Sequence, residues 1–176
     1  GLLLLNHGIF TFAATAEDSY KRMIKYVTLA ENYIKKSKFN SKKINTNNKK
    51  NNNFDIGKLQ NHFRKIYYNI TKTKWIIKHN GTKDDVLLSN IKNLKTMFGK
   101  GPVTPDHVIR IKSKPLVIES IINKKDNFIK NSIMKYASEY KKYFQKYKNT
   151  IKNAKISDPL PRIIIVPNLG YFSIGL

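Results

Sequence analysis

The chain has no cysteine, which removes disulfide frameworks and thiolate metal sites from consideration. Arginine is scarce as well, supplying only 4 of the 34 basic residues. Bidentate recognition of phosphates and bases favours arginine, so a specific nucleic-acid surface is not expected in spite of a formal net charge of +23. Lys, Asn and Ile, at 30, 20 and 23 residues, are the types that an A/T-rich coding sequence inflates. The charge therefore reads as compositional drift that leaves the surface sticky toward polyanions in general. No apolar run approaches the roughly 20 residues of a membrane span, and no basic segment precedes Leu2 to Leu5. A cytoplasmic protein without membrane attachment is expected. A GxGxxG loop is also missing: Gly170 and Gly175 stand five apart and flank Tyr171-Phe172, so no dinucleotide phosphate site is expected there.

What is present is organised around the opening stretch, Leu2 to Phe12. Four consecutive leucines suit a strand covered on both faces. Asn6-His7-Gly8 follows, with Gly8 free to turn the backbone directly after the imidazole. His7 is thereby held at the exit of a strand, as a metal ligand or as a polar residue that merely ends a core strand; a lone histidine leaves both readings open.

From Thr15 to Lys36 the apolar residues Tyr20, Met23, Ile24, Val27, Ala30 and Ile34 recur at helical spacing. Thr15 is the expected N-cap, with Asp18 three residues on, and the stripe is expected in the core. Ser37 to Asn53 is a Lys/Asn-rich stretch with little to bury, expected as a flexible, dispensable loop. Phe54 to His79 reads as a helix ended by Asn80-Gly81, and Asp84 to Leu94 as a shorter one. His62 and His79 lack companions at metal spacing and are expected to be ordinary polar residues.

Gly99 to Lys112, GKGPVTPDHVIRIK, is dense in constrained residues. Thr104 before Pro105-Asp106 predicts an N-capped helix with Pro105 at its first position. Asp106, His107 and Arg110 then gather near its start, either to hold an anion such as a sugar phosphate or as a local cap in which Asp106 pairs with Arg110. Ile121 to Lys152 reads as a long basic helix with tyrosines on its apolar side. Pro159 and Pro161 break the chain before Arg162 to Pro167, a β-branched strand of the buried type.

The block from the leucine strand through Asn6-His7-Gly8 into the acidic start of a long Ala-Glu helix resembles the class II aldolase/adducin family. In that family the histidine before the glycine is the last of three histidine zinc ligands, a role the resemblance gives to His7. Gly-Pro-Val-Thr-Pro-Asp-His-Val-Ile-Arg, followed by Lys112 and Pro115-Leu116, looks like a segment of one subgroup, the bifunctional rhamnulose-1-phosphate aldolase/short-chain dehydrogenases. The stretch Asn168 to Gly175 is similar to that subgroup's approach to its dehydrogenase half.

The expected fold class is α/β. Residues 1–36 would be the C-terminal part of a class II aldolase-like domain carrying the zinc-ligand strand and the helix after it. Residues 37–53 would be the flexible loop, and residues 54–176 a helix-rich connecting region ending in a buried strand and leading toward an absent dehydrogenase. The chain is expected to be an internal fragment, with the family's other two histidines and its catalytic glutamate upstream of Gly1. What the resemblance implies for the intact protein is a lyase that splits L-rhamnulose 1-phosphate into dihydroxyacetone phosphate and L-lactaldehyde, a sugar phosphate as substrate, Zn²⁺ and NAD(P) as cofactors, and a homo-oligomer. An adducin-like binding module without metal, or a basic nucleic-acid module with steep salt dependence, are the alternatives.

Overall fold

The computed structural model describes residues 1–5, 7–37, 54–119, 126–150 and 152–176. The expected loop between Ser37 and Asn53 lies, but for Ser37, outside the described residues. The opening leucines form β1 (Leu2–Leu4), which pairs antiparallel with β2 (Gly8–Phe10), Leu3 standing opposite Ile9. This hairpin corrects the expectation of a doubly covered strand, since Leu3 and Leu5 are 70% and 88% exposed. A leucine run records a demand for cover on two faces; among the described residues the strand has one neighbour and none of its side chains is buried.

Helix α1 (Ala16–Lys36) begins as its sequence requires. Thr15 Oγ1 accepts from the Asp18 amide at 3.1 Å, and Glu17 and Asp18 sit in the first turn while Lys35 and Lys36 sit in the last, as the helix dipole favours. Its apolar stripe is not core: no residue of α1 is buried, and Tyr20, Ile24 and Ile34 are exposed. Spacing fixes which residues share a face of the helix and says nothing of what covers that face.

The core of the described chain lies further on. Helix α2 (Ile56–Thr71) starts at Asp55, whose side chain accepts from the Lys58 amide at 2.9 Å. That backbone hydrogen bond is the main reason the Asp55 carboxyl is held below its ordinary range. The helix ends where Lys72 turns left-handed at φ 58°. The expected helix to His79 is therefore corrected: Ile76–Asn80 is a strand, β3. Isoleucines and an aromatic serve a buried strand as well as a helix end, and the break falls at Lys72-Thr73 before them.

Helix α3 (Lys83–Ser89) carries a complete capping box between Thr82 and Asp85, and α4 (Leu94–Phe98) is separate from it, so the expected single helix from Asp84 to Leu94 is two pieces. Helix α5 (Pro105–Ile111) has Pro105 in its first turn as expected. After the two-residue strand β4 (Leu116–Val117) comes α6 (Asp126–Tyr147), which ends before the expected Lys152 and is continued by one 3₁₀ turn, Lys148–Thr150. The start expected at Ile121 lies outside the described residues. Strand β5 (Ile163–Val166) is as expected, and Gly170–Gly175, to which the sequence assigned no element, is a strand, β6.

The four later strands make one mixed sheet in the order β3-β6-β5-β4. β6 runs antiparallel to both β3 and β5, and β4 runs parallel to β5. Phe63 and Tyr67 of α2 and Ile129 and Ile133 of α6 share a core with Ile77, Ile164, Phe172 and Ile174 of the sheet. Each such side chain removed from water contributes roughly 1.5–3 kcal/mol. The result is the α/β fold expected from the sequence, with helices layered on a mixed sheet. Gly170, at φ +92°, lies against the Asn80 carbonyl, so that no Cβ fits where β3 meets β6. No helix among the described residues is long and apolar enough to cross a membrane.

Candidate functional site

His7 stands in the turn of the β1–β2 hairpin. Its amide donates to the Leu4 carbonyl at 3.2 Å, and Gly8 follows at φ +145°, a conformation that L side chains rarely adopt. The imidazole is exposed and its ring centre lies 5.5 Å from that of Phe10. It is thus accessible to a metal, but among the described residues no group of three His, Cys, Asp or Glu side chains stands together. Zinc fits here only with His7 as one member of a ligand set completed by other residues.

The second sequence candidate sits on α5. Thr104 is at the N-cap position, yet its hydroxyl lies 2.6 Å from His107 Nδ1 and makes no capping bond to the backbone. Asp106, His107 and Arg110 are all exposed, and among the described residues Asp106 and Arg110 form no ion pair. The local-cap reading of this segment is therefore not what the structure has.

His62 and His79, expected as ordinary polar residues, differ in their surroundings. His79 Nε2 lies 2.7 Å from the Leu169 carbonyl, which can only accept, so the ring donates there and ties β3 to the turn before β6. His62 Nε2 is buried with no hydrogen-bond partner among the described residues.

A cluster that the sequence did not reveal assembles where α5, α6 and the entry to β5 meet. Lys112, the residue that closes α5, is only 6% exposed and adopts φ 72°. Its ammonium donates to Ser157 Oγ at 2.9 Å and to the Asp158 carbonyl, and lies 4.4 Å from the centre of the Tyr140 ring. A buried lysine is thus held by neutral oxygens and an aromatic face. Next to it, Asp158 Oδ1 accepts from the Leu160 amide at 2.7 Å while Oδ2 reaches Arg162 Nη2 at 3.4 Å. The Arg162 guanidinium stacks 4.3 Å over Trp75. Lys112 thus meets the backbone carbonyl of Asp158, and Arg162 its carboxylate. Lys112 and Arg162 stand fifty positions apart in sequence, and the only local signal was the density of constrained residues ending at Lys112.

A cleft of about 610 Å³ opens beside β4, edged by the ion pairs Lys95–Glu119 at 3.0 Å and Lys114–Glu139 at 3.7 Å. At its wall Tyr136 donates to the Lys114 carbonyl at 2.6 Å, and burial pushes the Tyr136 phenol above its ordinary range.

Residues 57–176 match the family model described as "Aldolase class II, second domain". Among curated proteins, an uncharacterized oxidoreductase of Bacillus subtilis (strain 168), YuxG, is 25% identical over 185 residues, covering 99% of this chain and 26% of its own length. The chain thus spans about a quarter of the curated relative it matches. No solved structure matches it.

Proposed function

The chain belongs to the family of class II aldolase second domains, and from that premise we propose that the intact protein is a zinc-dependent aldehyde-lyase acting on L-rhamnulose 1-phosphate. Cleavage between C3 and C4 gives dihydroxyacetone phosphate and L-lactaldehyde: the C4 hydroxyl loses its proton as C4 becomes the aldehyde, and the electron pair left on C3 is later protonated. The observation that carries this reading is the family match over 57–176, because it contains the Gly-Pro-Val-Thr-Pro-Asp-His-Val-Ile-Arg segment whose resemblance is to the rhamnulose-1-phosphate subgroup.

In this proposal His7 is one zinc ligand, and its accessible ring on a glycine-set turn supports that use. Bound Zn²⁺ supplies a Lewis acid for the negative charge that carbon–carbon cleavage develops. The other ligands and the catalytic glutamate belong to other parts of the polypeptide. Asp106, His107 and Arg110 contact the sugar phosphate or the domain that holds it, a role supported by their shared exposure and by an Arg110 guanidinium without an ion pair among the described residues. A short-chain dehydrogenase using NAD(P) is joined to the lyase and oxidises the aldehyde; the oxidoreductase name of a relative about four times as long agrees with this. The intact enzyme is a cytoplasmic homo-oligomer, and the exposed apolar row of Leu2, Leu3, Leu5, Phe10 and Phe12 is a surface that such an assembly would cover.

The test is an assay of the full-length protein with L-rhamnulose 1-phosphate, dihydroxyacetone phosphate being measured by a coupled reduction. Release of that product, abolished by a chelator and restored by Zn²⁺, is the expected result. Stoichiometric sugar-phosphate binding without cleavage would favour a non-catalytic binding module.

A further inference from the structure

A pocket of about 450 Å³ lies between the end of α2, the middle of α6 and the segment entering β5, with Thr71, Trp75, Met134, Lys141, Asp158 and Arg162 in its wall. Its polar groups are unevenly matched. Asp158 is the only acidic side chain in the lining, against the two cations Arg162 and Lys141, and the backbone carbonyl of Asp158 already takes the Lys112 ammonium. Arg162 is fixed in plane by Trp75 beneath it, yet its Nη2 reaches Asp158 only at 3.4 Å. Strong charge-assisted bonds of this kind run at about 2.7–2.9 Å. Its Nη1 is buried and has no hydrogen-bond partner among the described residues. A guanidinium carries five donors and no acceptor, so what this group lacks is an acceptor oxygen, and a charged one forms the stronger bond.

We propose that the pocket is a binding site for a small organic anion. The oxyanion accepts from the part of the Arg162 guanidinium that lines the pocket and faces Lys141, and a short apolar body lies against Met134 and Leu160. A volume of about 450 Å³ is within the range of small-molecule sites, and the mixture of apolar wall with a few convergent polar groups is typical of them. The guanidinium fork suits a carboxylate and a phosphate alike. The proposal does not depend on the aldolase reading.

Trp75 is the chain's single tryptophan, so its fluorescence reports on the stacked Arg162 directly. The 176-residue chain is titrated with butyrate, with inorganic phosphate and, at equal ionic strength, with sodium chloride. A saturable change at one site with butyrate or phosphate but not with chloride is expected, the tighter of the two naming the anion class. Arg162→Lys keeps the charge and loses the fork, and weakens that binding about tenfold. No saturable response to either anion, an equal response to chloride, or unweakened binding by Arg162→Lys would overturn the proposal. Should Arg162→Lys fail to fold, Lys141→Glu on the exposed side of α6 decides: lost binding with an unchanged melting temperature supports the site, and unchanged binding refutes it.

Discussion

The Tyr67 hydroxyl donates to the Pro161 carbonyl at 2.5 Å, joining α2 to the entry of β5 across 94 residues of sequence. Both partners are fully buried. Tyr67→Phe keeps the ring and leaves that carbonyl without its donor, a loss of about 1–2 kcal/mol. Urea unfolding followed by Trp75 fluorescence should show a lower midpoint with an unchanged slope; an unchanged midpoint would mean that the bond contributes nothing net.

The same burial sets a pH dependence. Desolvation raises the Tyr67 and Tyr136 phenols above their ordinary value of 10.0. A raised value means that the folded state holds the proton more tightly than the unfolded chain. The stabilisation is therefore complete below pH 10 and is lost as pH rises further, at up to about 1.4 kcal/mol per pH unit for each phenol. Other groups titrate in that window, so the informative quantity is the difference between the natural protein and Tyr67→Phe. That difference should shrink between pH 10 and 11 relative to pH 8, and a constant difference would contradict the assignment.

Local chemistry made much of this fold legible. Thr15 with Asp18, Pro105 at a helix start and the isoleucine run of β5 were readable because each is decided within a few residues. β3 and β6 were not, because their pairing joins His79 to Phe172 and Asn80 to Tyr171, and neither partner is visible from the other's neighbourhood. The turn before β6 illustrates the point: Asn168 at φ 67° and Gly170 at φ +92° make the bend that turns β5 back into β6. His7 and Gly8 were legible as a motif, while the exposure of the leucines before them was not. The Lys112–Asp158–Arg162 cluster was hidden for the same reason as the sheet, its members lying on segments far apart in sequence.

Arg110→Ala tests the α5 segment in the full-length enzyme. Because Arg110 is exposed and forms no ion pair among the described residues, its removal should leave the melting temperature unchanged. If it holds the sugar phosphate, KM rises about tenfold with kcat little altered. A lower melting temperature with KM intact would assign the segment to scaffolding.

The central claim is that this chain contributes His7 to the zinc of a class II aldolase, and zinc content of the full-length His7→Ala variant tests it most directly. His7 is exposed and its side chain makes no hydrogen bond among the described residues, so the variant should fold and melt as the natural protein does. The account predicts that bound zinc falls well below one per chain and that cleavage of L-rhamnulose 1-phosphate is lost with it. Stoichiometric zinc together with undiminished cleavage in that variant would contradict it.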